Sequence, residues 1–128
     1  MTRPDTAFAF GFLGRYNDTF DENQWEMTKD VYKYLHHTRD LSLTYKREVG
    51  PVLSAYVDSD FAGCKKDGKS TSGFVVLLAG GAVSWYSKKQ TTIAQSTADA
   101  EYVAAGHLAM ELFTVSWNRW ASAPAYRL

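Results

Sequence analysis

The sequence predicts an α+β chain: a three-stranded antiparallel sheet followed by a helix packed on it, with two helices in front. Three stretches carry the prediction. Leu53-Ser-Ala-Tyr-Val-Asp-Ser-Asp60 alternates apolar and polar residues, as a half-buried strand does. Gly80-Gly81 divides two apolar runs, which is a hairpin signal. Ser96-Thr-Ala-Asp99 has the spacing of a capping box and opens a helical pattern. With 128 residues and 45% hydrophobic content, the chain is expected to form one globular domain, or one domain with a short appendage.

In chain order, Thr2-Arg-Pro-Asp5 reads as a helix start with an early proline. Phe8, Phe12 and Tyr16 continue it at helical spacing, although Phe8, Phe10 and Phe12 also alternate as a strand would. A second helix is expected from Glu22 to His37, with Trp25, Thr28, Tyr32 and Leu35 on one face. Leu41, Leu43 and Tyr45 alternate with Ser42, Thr44 and Lys46, which predicts a short strand. Arg47-Glu-Val-Gly-Pro51 stops both regular structures. The strand Leu53–Asp60 then leads into the basic loop Ala62–Ser70. Thr71–Ala79 is a nearly unbroken apolar run, expected to be a strand buried on both faces, and Ala82–Ser87 returns as its partner. The last helix is expected to run from Thr97 to about Trp117 or Trp120.

Composition excludes several classes. Fourteen basic and fourteen acidic side chains cancel, so no global field draws in nucleic acid and any such contact must be local. The single Cys64 has no internal disulfide partner, which reads as an intracellular chain. No apolar run is long enough to span a membrane, and Met1-Thr-Arg-Pro-Asp5 does not lead into a signal peptide. His36, His37 and His107 have no metal-ligand partners at suitable spacing.

Two carboxylates stand out. Asp58 shares a strand face with Ser54 and Tyr56. Glu101 heads the stripe Glu101, Ala105, Leu108, Leu112, which by its spacing is expected to face the sheet. Two readings of Glu101 stay open on spacing alone. Acids are favoured near a helix N-terminus whatever their use. Alternatively Glu101 meets Asp58 across the helix–sheet contact and the pair holds a divalent metal. Asp60 shares the parity of Asp58, either as a further ligand or as the polar residue that ends the strand. Glu111 lies roughly 15 Å farther down the helix and on another side, too far for a site whose two metals are about 3.5–4 Å apart. Lys65, Lys66 and Lys69 in one loop, and Lys88 and Lys89 in another, are either solvated loop charges or contacts to a nucleic-acid backbone. Trp85 and Tyr86 are either core or a stacking surface for bases.

Five motifs bear on the choice. Tyr56-Val-Asp-Ser-Asp-Phe-Ala-Gly63, Lys69-Ser-Thr-Ser-Gly-Phe74, Gly80-Gly-Ala-Val-Ser-Trp85, Ser87-Lys-Lys-Gln90 and Ser96-Thr-Ala-Asp-Ala-Glu-Tyr102 are ordered and spaced as a set. Together they resemble the RNase H region of copia-type LTR retrotransposon polyproteins. Arg3-Pro-Asp5 resembles a stretch near the end of the reverse transcriptase in the same family.

The resemblance implies that residues 1–50 are the thumb or connection tail of a reverse transcriptase, and that 51–128 are the N-terminal half of an RNase H-like domain. The fold would then be an incomplete RNase H-like domain. It also implies Mg²⁺-dependent two-metal cleavage of the RNA strand of an RNA–DNA hybrid, with Asp58 and Glu101 as catalytic metal ligands and Lys65, Lys66, Lys69, Lys88 and Lys89 near the nucleic acid. The polymerase Tyr-x-Asp-Asp motif is absent, so no polymerisation is expected. The family's next strand, with its third carboxylate, is not found before Leu128, and Thr114–Trp120 departs from the family's continuation. A truncated fragment is therefore expected, inactive alone and prone to self-association through an exposed sheet edge. The alternatives are a non-catalytic remnant that binds nucleic acid or protein, and a reading frame without selected function.

Overall fold

The structure is a computed structural model that describes residues 3–122, with the side chains of 118–122 left aside. The expectations that fall on Thr2 and on the segment after Ser122 lie outside the described residues. The fold is α+β. Helix α1 (Ala7–Leu13) is flanked by single 3₁₀ turns at Pro4–Thr6 and Gly14–Tyr16. It is followed by α2 (Glu22–His37), strands β1 (Leu53–Ser59), β2 (Thr71–Leu78) and β3 (Gly81–Lys89), and helix α3 (Thr97–Ser122). The sheet is antiparallel in the order β1-β2-β3. Among the described residues no helix is long and apolar enough to cross a membrane.

The sheet separates two layers, and the alternation of its residues assigns the faces. Phe74 stacks on Tyr86, and Tyr86 lies 5.4 Å from the His107 ring of α3. Ser84 Oγ donates to the Glu111 carboxylate at 2.7 Å. Val76, Ala100 and Ala104 are the fully buried apolar centre of this layer. On the opposite face α1 covers β3, where Gly11 lies close enough to Ser87 that a β-carbon would come within 3.1 Å of its carbonyl oxygen. Phe8 stacks on Phe12, and Phe12 meets the tilted Tyr16 ring of the following 3₁₀ turn, a row that the helical spacing predicts. Arg15 reaches β2 with a 3.2 Å bond to Thr71 Oγ1.

Helix α2 starts on a capping box: Asp21 Oδ1 accepts from the Asn23 and Gln24 amides, and Gln24 Oε1 accepts from the Asp21 amide. Its inward residues are Gln24, Thr28, Val31 and Leu35, whereas Trp25 and Tyr32 of the expected stripe are exposed. Arg3 joins the two ends of this layer. Its guanidinium binds the Asp5 carboxylate and also the Thr38 carbonyl and hydroxyl at the end of α2.

Two local expectations are corrected. Leu41–Lys46 is not a strand. The Lys46 amide donates to Ala79 O at 2.7 Å, a single bond and not a ladder, and the segment crosses over the hairpin instead of joining its edge. Tyr45 lies over Gly81 and donates to Ala82 O at 2.9 Å. A β-carbon on Gly81 would come within 2.5 Å of the Tyr45 ring and 2.8 Å of Thr44 O, so the glycine is needed for this crossing. The hairpin turn also shifts by one residue. Its central pair is Ala79-Gly80, with φ of 51° and 80°, and Gly81 already pairs with Leu78 as the first residue of β3. Two positive φ values give the turn twist that suits a hairpin. Farther along, β3 carries a bulge at Val83.

Candidate metal and nucleic-acid site

Asp58 and Glu101 come together, but not across the helix–sheet contact. Asp58 pairs with Gly73 and lies on the face opposite α3, where it lines a cavity of about 200 Å³ with Phe8, Gly73 and Ser87. Glu101 is exposed, and so is Ala105 behind it. The stripe that α3 presents to the sheet is Ala100, Ala104, His107 and Glu111, rotated one position from the expected one. Small side chains at Ala100 and Ala104 let the helix sit close to the sheet, and that leaves Glu101 on the helix flank above β1. The two carboxylates therefore meet around the open edge of β1.

The edge geometry explains how. Asp60 N–H donates to Thr71 O, so it points toward β2. Amides alternate along a strand, so the neighbouring Ser59 N–H points outward from the sheet. It is met there by Asp58 Oδ1 at 2.9 Å and Glu101 Oε1 at 3.3 Å. Both bonds end on one nitrogen, so the two oxygens are separated by no more than the total of the two distances, about 6 Å.

Several contacts hold this corner. Ser96 Oγ accepts from the Asp99 amide at 3.1 Å, and Asp99 Oδ2 accepts from the Gln95 amide at 3.0 Å. The capping residues are those expected, with the reciprocal bond one residue earlier than in a strict box. Gln90 closes the Ser87-Lys-Lys-Gln90 motif, which assigns it no role, and it positions the helix. Buried at the end of β3, it donates to Ser72 Oγ at 2.9 Å and to Ala100 O at 3.0 Å. It thus fixes the residue before Glu101 to the central strand. Its place at the end of the Ser87–Gln90 motif is the signal the sequence holds for it.

The other acids serve elsewhere. Asp60 accepts from the Thr71 amide and closes the turn after β1. Glu111 is held by Ser84. Among the described residues no group of three His, Cys, Asp or Glu side chains is placed to hold a metal ion. The lysines also divide. Lys89 pairs with Asp67 at 2.8 Å and lies 3.8 Å from Cys64 Sγ. Hydrogen bonds from Cys64 and Lys89 hold the Asp67 carboxyl below the usual carboxylate range. Lys69 donates to Thr91 O at 2.6 Å. These two lysines thus hold the loop, while Lys65, Lys66 and Lys88 are exposed.

No protein-family model and no solved structure matches the chain. Curated sequences do. The chain is 38% identical over 111 residues to the Retrovirus-related Pol polyprotein from transposon TNT 1-94 of Nicotiana tabacum, covering 87% of this chain and 8% of that protein. It is 36% identical over 112 residues to the Retrovirus-related Pol polyprotein from transposon RE2 of Arabidopsis thaliana, covering 88% and 8%. It is also 39% identical over 111 residues to the Secreted RxLR effector protein 161 of Plasmopara viticola, covering 87% of this chain and 78% of that protein. The chain belongs to the copia-type retrotransposon Pol polyproteins. It spans about 8% of the length of the Pol relatives named here. Within the Pol family reading, Asp58 and Glu101 are the acids that the fold brings to one point.

Proposed function

We propose that the chain contains the end of a reverse transcriptase and the first part of an RNase H-like domain, and that Asp58 and Glu101 serve hydrolysis of the RNA strand of RNA–DNA hybrids in the whole polyprotein. The observation that supports this is the convergence of the two carboxylates on the Ser59 amide. The donor set suits Mg²⁺: hard carboxylate oxygens, exposed to solvent and close enough to share one largely hydrated ion. When bound, such an ion supplies a more acidic water and neutralises charge on the phosphate. The protein's part is orientation. Ser59 N–H holds both oxygens at the strand edge, and Gln90 fixes the turn of α3 that carries Glu101. Lys65, Lys66 and Lys88 would contact the hybrid backbone.

The test is calorimetric titration of the purified chain with Mn²⁺ or Mg²⁺. One ion is expected per chain. Asp58→Asn and Glu101→Gln should each weaken it by more than the roughly tenfold that an outer-shell change costs. Equal binding by the wild type and both variants would remove the site.

A second reading has one observation in its favour. The Plasmopara viticola relative, named as a secreted effector, is matched over 78% of its own length, so this segment is most of a short protein there. On that reading the chain is a non-catalytic binding remnant, and both carboxylate variants would leave its interactions unchanged.

A further inference from the structure

Helix α3 turns Ala100, Ala104, His107 and Glu111 toward the sheet on one side. On the other side, Tyr102, Gly106, Ala109, Met110, Phe113 and Trp117 fall within about 100° of arc at 100° per residue. No charged residue interrupts this stripe over its four turns. Its large members are exposed: Tyr102 is 79%, Met110 72%, Phe113 70% and Trp117 64% accessible. The outward side of a sheet-packed helix is normally polar, so an outward apolar face calls for a second layer.

We propose that this face is covered by the same face of a second copy of the chain, with the two α3 helices antiparallel about a two-fold axis near Ala109. Gly106 is the first argument. Glycine destabilises a helix interior, and among the described residues nothing outside the helix's own backbone lies within 4 Å of where its β-carbon would stand. Its small size therefore meets no packing need among the described residues. The second argument is register. An axis between Ala109 and Met110 sets Tyr102 against the partner subunit's Trp117, and seats Phe113 in the gap left by the partner subunit's Gly106. Large side chains then meet small ones at the centre and aromatic ones meet at the ends. The third is area. Three aromatic side chains of about 150–250 Å² each, all more than six-tenths exposed, together with Met110, offer on the order of 500 Å² per copy. A pair then reaches the roughly 1,000 Å² that a specific interface requires. The pairing is closed, so it ends at the dimer.

The inference is independent of the metal site. Sedimentation equilibrium of the whole chain should give twice the 14.4 kDa chain mass at tens of micromolar. Phe113→Glu should return it to the monomer with its helix circular dichroism unchanged, because Phe113 faces solvent within the chain. For the register, a Tyr102→Cys chain and a Trp117→Cys chain, each carrying Cys64→Ser, are mixed and oxidised. The mixed disulfide should form ahead of either homodisulfide. A monomeric wild type, a dimer or larger species that survives Phe113→Glu, or a preference for the homodisulfides would each overturn the proposal.

Discussion

Gln90 shows how a single side chain governs the candidate site from a distance. Its amide is buried and bonds both the central strand and the first turn of α3. Gln90→Leu keeps the bulk but leaves Ser72 Oγ and Ala100 O without this donor. Such a loss costs about 1–3 kcal/mol, which urea denaturation would read as a lower midpoint at unchanged slope. Because Ala100 adjoins Glu101, the same variant should also weaken Mn²⁺ binding. If stability falls while ion binding stays the same, Gln90 does not position Glu101. Asp5 offers a test by pH. The Arg3 hydrogen bonds, helped by Tyr34, hold its carboxyl at about 2, below the ordinary 3.8. A depressed carboxyl contributes stability that is present above the unfolded value and lost as pH falls through the folded one. The stability difference between the wild type and Asp5→Asn should therefore be constant above about pH 4 and shrink between about pH 4 and 2. Denaturation midpoints at several pH values check this, and a difference that grows on acidification would contradict it.

Among the elements, the β2–β3 hairpin carries an avoidable cost. Ala79 sits at φ 51°, a left-handed conformation that costs an L-residue roughly 1–2 kcal/mol, while Gly80 beside it adopts φ 80° freely. Ala79→Gly should therefore stabilise the chain by up to about 1 kcal/mol, once the added freedom of the unfolded glycine is subtracted. Gly81→Ala, only two residues on, should destabilise it by about 1–3 kcal/mol, because the new methyl meets the Tyr45 ring and the Thr44 carbonyl. Opposite signs at these two positions would confirm where the turn ends and the strand begins. Equal effects would mean that the turn is centred elsewhere. Helix α3 illustrates a different balance. Its inner face is chosen by the small Ala100 and Ala104, so the bulky Tyr102, Met110, Phe113 and Trp117 are left outside.

At the scale of the whole molecule, the sheet has α3 on one face and α1 on the other, and the carboxylate pair lies at the β1 edge between them. The 128-residue chain by itself is expected not to turn over RNA–DNA hybrids efficiently. Two-metal hydrolysis needs anionic ligands for two ions at close separation. Among the described residues Asp58 and Glu101 have no third acid beside them, since Asp60 is bound to Thr71 and Glu111 to Ser84. Small misplacements of the reacting groups are also costly. A labelled hybrid incubated with the chain and Mg²⁺ or Mn²⁺, beside Asp58→Asn, is the measurement. Multiple-turnover cleavage lost on that substitution would falsify the expectation.

Local physics made much of this chain legible in its sequence. The alternation of Leu53–Asp60, the Ser96 cap, the glycine turn and the spacing of Phe8, Phe12 and Tyr16 each depend on near neighbours, and each marks a real element. The ordered motifs around Asp58 and Glu101 likewise sufficed to name the family. Tertiary structure decided the rest. A helical period cannot say which of two neighbouring stripes turns inward; close approach favoured Ala100 and Ala104 over Glu101 and Ala105. Alternation cannot supply a strand partner, so Leu41–Lys46 became a crossing segment. Nor can parity along β1 show that an acid on the far face of the sheet and an acid on the helix above it meet at the strand edge. There the outward Ser59 amide binds both, a convergence set by the packing of α3 and not by the residues of either segment alone.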